Sequence, residues 1–293
     1  MKKSNHAYSV LWRTRMGGMV GATIALLVAG VAVQGNAQTI SLAGSSLQLN
    51  TTTGLTGWTV DGGNQLNSQS YYYSIGGGLV NNISTLSAAS TPAFGGQSFL
   101  GSILSTNVSV TYENSALDVS TKYILEAAGS GSEVASTFTI VNSSATSEAV
   151  NFYQFSNFAL GGLGGQSVQF VPGASNYAMD QTGHGMVLTG QLSALTGGGT
   201  ATVGEVAGVY DGTQLGLENG NASPNFNSSV LSASGSNVDF GYEFEATLNP
   251  GSSLIISEIQ VVPEPEPASF ALVSAGMLGI CLLRNHRKLS KKT

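Results

Sequence analysis

Two glutamates spaced two residues apart, Glu243 and Glu245, come closest in this sequence to a reactive pair. On a strand, side chains at i and i+2 share a face roughly 7 Å apart. That separation lies in the range at which paired carboxylates hydrolyse glycosidic bonds. The same alternation sets them opposite Phe240, Tyr242 and Phe244, so a solvated face is their expected place. His184 is the single histidine between the two ends, in Thr182-Gly183-His184-Gly185. An imidazole can ligate zinc or serve as the base of a triad. With no cysteine in that region and no Gly-x-Ser-x-Gly elbow, His184 reads as a loop residue. Asp61-Gly62-Gly63-Asn64 and Asp211-Gly212 offer oxygen ligands of the kind calcium takes. Neither has the spacing of an EF-hand or of a glycine-aspartate repeat, and turns are the ordinary use of such residues. Trp58 and Tyr71-Tyr72-Tyr73 either form a sugar-stacking platform or pack in a core, and the core is expected. The glycine pairs carry no phosphate-binding loop pattern. The sequence therefore presents no catalytic set and no metal set. No cofactor is required, and calcium alone stays open.

The elements that would position these residues read as strands. Val108, Val110 and Tyr112 alternate with polar residues, Asn114-Ser115 reads as a turn, and Leu117, Val119, Tyr123 and Leu125 continue the pattern. Together they predict a hairpin. Residues 137–141 (TFTIV) and 150–155 (VNFYQF) are the next strands, with Asn142-Ser143-Ser144 starting the connection. Phe240 to Leu248 alternates cleanly, Asn249-Pro250-Gly251 makes a turn, and Leu254 to Val262 supplies a last strand. Between Gly161 and Gly199, glycine clusters bracket weaker alternation, which predicts loops, short strands and a crossing between sheets. Short strands separated by Gly, Ser and Asn indicate an all-β, antiparallel β-sandwich.

The 293 residues carry a formal charge of −6 that is very unevenly spread. Nine of the ten basic residues lie before Gln38 or after Val262, leaving Lys122 alone in between against fourteen acids. That middle region has a formal charge of −13. Such a surface repels phosphate backbones and excludes nucleic acid as a partner. It also lacks the arginines that recognise sulfated or phosphorylated ligands. Neutral glycans and divalent cations remain compatible. At this length a core can form without disulfides. The only cysteine, Cys281, lies in a C-terminal apolar run, where it reads as a small apolar residue.

Both ends read as addresses. Lys2, Lys3, Arg13 and Arg15 precede an uncharged stretch, Met16 to Val33, and Gly35-Asn36-Ala37 supplies a small-residue exit. Residues 1–37 are thus expected to be a secretory signal, cleaved between Ala37 and Gln38. Arg13-Thr14-Arg15 is not a twin-arginine pair, so the general secretory translocon is the expected partner. At the other end, Pro263-Glu264-Pro265-Glu266-Pro267 is stiff and poor in hydrogen-bond donors. Ala268 to Leu283 is sixteen residues without a charge, followed by Arg284, Arg287, Lys288, Lys291 and Lys292. The apolar run, extended by its flanks, predicts a transmembrane helix over 268–283 with the basic tail on the cytoplasmic side.

Pro-Glu-Pro, an apolar helix and a basic cluster in that order resemble the PEP-CTERM sorting signal over about Val262 to Lys288. The resemblance implies recognition by exosortase, a membrane cysteine protease. It also implies a Gram-negative host that makes exopolysaccharide. The tripeptide is doubled here, and Pro265-Glu266-Pro267 is the better-registered copy because the apolar run follows it directly. The basic cluster is split by Asn285 and His286. Tyr123 to Leu160, where a strand ending in Asn142 is followed by the aromatic run FYQFSNFAL, is loosely similar to a recurring β-sandwich of uncharacterised PEP-CTERM proteins. That likeness brings no catalytic residues with it.

The organisation expected is a signal peptide over 1–37, a β-sandwich ectodomain over 38–262 and a sorting segment over 263–293. The expected function is that of an exported, non-enzymatic surface or matrix protein associated with neutral exopolysaccharide and biofilm. Its rivals are a secreted glycan-active enzyme and a calcium-stabilised adhesin.

Overall fold

Alternation of apolar and polar residues governs nearly the whole body of the chain. The structure, a computed structural model, describes residues 37–263 apart from 89, 100–101, 128–130, 163, 172–176, 184–185, 197–200, 210–216, 218–225 and 227–229. Among the described residues the fold is all-β: two antiparallel sheets, with a short 3-10 turn at Ile83–Thr85. No helix among them is long and apolar enough to cross a membrane. The two expected terminal helices lie outside the described residues. So do Glu264, Pro265, Glu266, Pro267, Arg284, Arg287, Lys288, His184 and Asp211.

The first sheet runs in the order β1 (Ala37–Leu42), β2 (Ser45–Asn50), β3 (Gly54–Val60), β5 (Leu66–Ile75), β12 (Glu148–Phe158), β18 (Val238–Leu248) and β16 (Thr202–Val209). Two-residue strands β4 (Gly63–Asn64) and β6 (Asn81–Asn82) pair with β3 and β5. The second sheet runs β17 (Ser232–Gly235), β13 (Gln166–Val171), β14 (Tyr177–Gly183), β15 (Met186–Thr196), β19 (Ser253–Pro263), β11 (Gly131–Asn142), β10 (Leu117–Ala127), β9 (Ser102–Glu113) and β7 (Ser87–Ala88). β8 (Ala93–Phe99) adds to β9. The last strand in sequence, β19, thus lies in the interior of its sheet, between β15 and β11.

The hairpin expected around Asn114 forms as β9–β10, with Glu113 opposite Asp118 and Val108 opposite Tyr123. Asn114 accepts the backbone N–H groups of Ala116 and Leu117 at 2.8 Å, which closes the turn. The chain then crosses between sheets after β11, where Asn142 is fully buried. Its amide donates to the carbonyls of Thr146 and Leu248, both at 2.7 Å, and its Oδ1 accepts the Ser144 N–H. The glycine-bracketed stretch after Gly161 becomes β13, β14 and β15, a meander within the second sheet.

The inward faces of the two sheets meet in one aromatic-rich core. Tyr71 of β5 lies 4.6 Å from Phe138 of β11, ring centre to ring centre. Phe170 of β13 meets Tyr242 of β18 edge to face at 5.5 Å, and Phe158 stacks on Phe240 at 5.9 Å. Each such ring removes a large apolar area from water, and pairs in these geometries add about 0.5–1.5 kcal/mol beyond burial. Trp58 is completely buried, and its indole N–H donates across the sheets to the Ser132 hydroxyl at 3.0 Å.

One expectation is corrected here. Glu243 is not on a solvated face: it is 2% exposed. A second apolar cluster, Tyr72, Val80, Tyr153, Phe155, Leu217 and Phe226, covers the outward side of the first sheet at that point. Glu245, two residues on, is exposed as expected. Ala37, expected to end the signal segment, is the first residue of β1, opposite Asn50, and Gln38 beside it is buried.

Candidate functional site

On the outward face of the first sheet, β18 presents Glu243 and Glu245 beside Asn151 of β12, which lies directly opposite Glu245 in the ladder. The Asn151 amide donates to Glu243 Oε1 at 2.8 Å and to Glu245 Oε1 at 3.3 Å. Glu243 Oε2 accepts the backbone N–H of Phe226 at 2.7 Å. Both oxygens of Glu243 are therefore engaged, and Tyr153 packs edge to face against Phe226 at 5.7 Å above the sheet. Beyond this covered zone the face opens into a pocket of about 340 Å³, lined by Ala149, Asn151, Thr202, Glu245, Ala246 and Thr247. Only one of the two carboxylates lines it. A hydrolytic pair must flank one bond from both sides, and this arrangement instead gives a single carboxylate, an amide and two hydroxyls on an open strand surface. Those are groups that hydrogen-bond a polar, uncharged ligand.

A second cluster is buried between the sheets. Glu258 of β19 is 1% exposed, and Gln154 of β12 donates to its two oxygens at 3.0 and 2.9 Å. Gln260 donates to Oε1 at 2.8 Å. Gln69 of β5 also hydrogen-bonds the carboxylate and donates to Ser156 at 3.1 Å. Burial outweighs these donors and pushes the Glu258 carboxyl up to about 7. The neighbouring phenols of Tyr71 and Tyr242 are raised well above their ordinary value, chiefly by burial and further by the charge of Glu258. Glu205 of β16 is also pushed up to about 7 by burial. Sequence reading passed over this cluster, although the signal was present. Glu258 and Gln260 share the alternation of Leu254, Ile256 and Val262, which places them inward.

The remaining candidates take structural roles. Trp58, Tyr71, Tyr72 and Tyr73 are all buried, so they form no stacking platform. Asp61-Gly62 forms the turn between β3 and β4, with Asp61 and Gly62 at positive φ. Asn64 Oδ1 accepts the Trp58 N–H at 3.2 Å while its amide donates to the Leu66 carbonyl, so this loop's amide serves the backbone. Among the described residues no group of three or more His, Cys, Asp or Glu side chains is placed to hold a metal ion. Of the sorting-segment residues, Pro263 alone is described, and it ends β19 opposite Gly131.

No protein-family model and no curated protein matches the sequence. Among solved structures, the chain is similar to a bacterial glucoamylase complexed with acarbose, at a TM-score of 0.41 and 11% identity over 82% of this chain. It spans about a third of that enzyme, 32% of its chain. It is also similar to the Aspergillus nidulans amine oxidase, with a TM-score of 0.40 and 8% identity over 84% of this chain and 55% of that one. A galactose mutarotase-like protein from Lactobacillus casei gives 0.34 and 8% over 77% and 99%. Likeness at this level carries no argument about activity.

Proposed function

We propose that the chain is an exported β-sandwich protein, delivered through the secretory translocon and sorted to the cell surface or matrix by a C-terminal PEP-CTERM-type segment. In this reading residues 1–37 are a signal helix, residues 268–283 form a transmembrane helix, and an exosortase-type membrane protease acts on the Pro-Glu-Pro stretch. The observation that carries the reading is the order of Pro263 to Pro267, the sixteen-residue apolar run and the basic cluster from Arg284 to Lys292.

For the body itself we propose a non-enzymatic role in binding neutral exopolysaccharide. The −13 charge disfavours anionic polymers, and the open groove by Asn151, Thr202, Glu245 and Thr247 carries donors and acceptors suited to sugar hydroxyls. A binding screen of the purified 38–263 body against the host's exopolysaccharide tests this. Retention by a neutral fraction, weakened in Asn151→Ala and Glu245→Ala, is the expected result. Release of reducing ends during the incubation would instead establish a glycan-active enzyme.

A further inference from the structure

Acids are spread through most of the body, yet no charged residue stands between Asp61 and Glu113, its longest uncharged run. That run contains β8, at the rim of the second sheet. β8 pairs with β9 alone, from Ala93 opposite Ser109 to Phe99 opposite Ser102, so among the described residues no strand lies along its other flank. Every residue from Ala93 to Ser98 is exposed, Phe94 among them. The one irregularity of this ladder falls on β9, where Leu104 is passed over between the partners of Gln97 and Ser98, so β8 itself runs unbroken.

The other rims are guarded in ways that keep strand edges from pairing with another chain. β17 and β7 are only four and two residues long. β16 adjoins β17 and carries Glu205, which lies opposite Tyr242 and turns a carboxyl inward. β1 lies against β9 and β10 of the other sheet. β8 has none of these devices: it is seven residues long, two of them glycine, with no charge and no proline inside it.

We infer that β8 is a self-association edge, to which a second copy of this chain adds its own β8 in antiparallel pairing. A bare edge offers a row of N–H and C=O groups that another strand edge satisfies along its whole length. Two bodies of charge −13 repel each other wherever their acids approach, and that repulsion is weakest across the uncharged rim. An antiparallel pair about a two-fold axis at the Gly95-Gly96 step is self-complementary. The glycines set no side chains between the copies at the axis, and Phe94 and Gln97 flank it. Seven residues rise about 23 Å along a strand. An interface of that size is small, so the association is reversible and depends on concentration.

The test uses the full-length chain in detergent micelles, with its mass measured by sedimentation from about 1 µM to about 300 µM. Wild type is expected to pass from monomer to dimer across this series. Gln97 is exposed, so Gln97→Glu and Gln97→Lys should melt like wild type. Each variant alone should need a concentration about tenfold higher to dimerise, because like charges meet beside the axis. An equimolar mixture of the two should dimerise at least as readily as wild type, which damage to the fold would not produce. Wild type that stays monomeric throughout overturns the inference. So does a dimer that both variants form as readily as wild type, since the contact then lies elsewhere, for instance in the C-terminal apolar run. A mixture no better than either variant alone overturns it as well.

Discussion

The Gln154 amide reaches across the core to both oxygens of Glu258, at 3.0 and 2.9 Å, and so ties β12 of one sheet to β19 of the other. Gln154 also lies within 3.4 Å of Ser156, which accepts from Gln69. The apolar interior is thus interrupted by a group of amides and hydroxyls arranged around one carboxyl. A buried carboxylate costs several kcal/mol unless its oxygens are satisfied, and here the amide donors reduce that cost without removing it.

Stability should therefore fall as pH rises through neutrality. Glu258 titrates near 4.5 in an unfolded chain and about 7 in the folded one. Below the lower value the carboxyl is protonated in both states and no penalty arises. Above the upper value the folded state must carry a buried charge, at a cost on the order of 3 kcal/mol. Glu258→Gln should remove Glu258's share of this slope and leave that of Glu205, which burial raises alike. Urea melts at pH 5 and pH 8 should show the variant gaining on wild type as pH rises. An unchanged difference between the two pH values would show that Glu258 does not titrate in this window.

Glu243, too, is engaged at both oxygens, by Asn151 and by the Phe226 N–H. Glu243→Ala leaves a buried backbone donor without its acceptor, a loss of about 1–3 kcal/mol. The Phe226 amide should exchange with deuterium much faster, while amides in β9–β10 keep their protection. Equal slowing or speeding throughout the body would indicate a global rather than a local effect.

What could be read from the sequence depended on how local the cause was. The β9–β10 hairpin follows from Asn114 and the alternation on either side, and the inward set of β18 follows from Phe240, Tyr242 and Phe244. Glu258 was legible by the same rule, as a charged residue on an inward strand face. The cover over Glu243 was not legible, because Val80, Leu217 and Phe226 come from remote parts of the chain. Alternation states which face a residue takes, but not whether a third layer lies over that face. The order of strands was equally hidden, since nothing local marks β19 for a position between β11 and β15.

Asn142 should be among the least replaceable residues at the crossing between sheets. Its side chain donates to two carbonyls and accepts one N–H, all within 2.9 Å. Truncation to Ala strands these groups at a cost of about 3 kcal/mol. Asn142→Asp should be at least as damaging, because it sets a carboxylate against two carbonyl oxygens. Thermal melts of both variants decide the point. A stable Asp variant would mean that the two donated bonds are not what holds this corner.

The body should fold only when its last strand is present. β19 lies between β15 and β11, and it buries Leu254, Ile256, Glu258, Gln260 and Val262. Without it, two long strand edges lose their partners and the core loses one wall, a deficit far larger than the usual 5–15 kcal/mol of net stability. Residues 38–263 alone should therefore show a β-type circular dichroism spectrum and one cooperative melt. Residues 38–252 should bind a hydrophobic dye and melt without a transition, and an added peptide of residues 253–263 should restore part of the cooperative signal. The loss arises in the centre of a sheet, so it cannot be repaired by fraying at an edge. In the export reading proposed above, the second sheet would close only after residue 263 has emerged. A cooperative melt of 38–252 would show instead that β15 and β11 can pair directly, and the link between export and folding would fail with it.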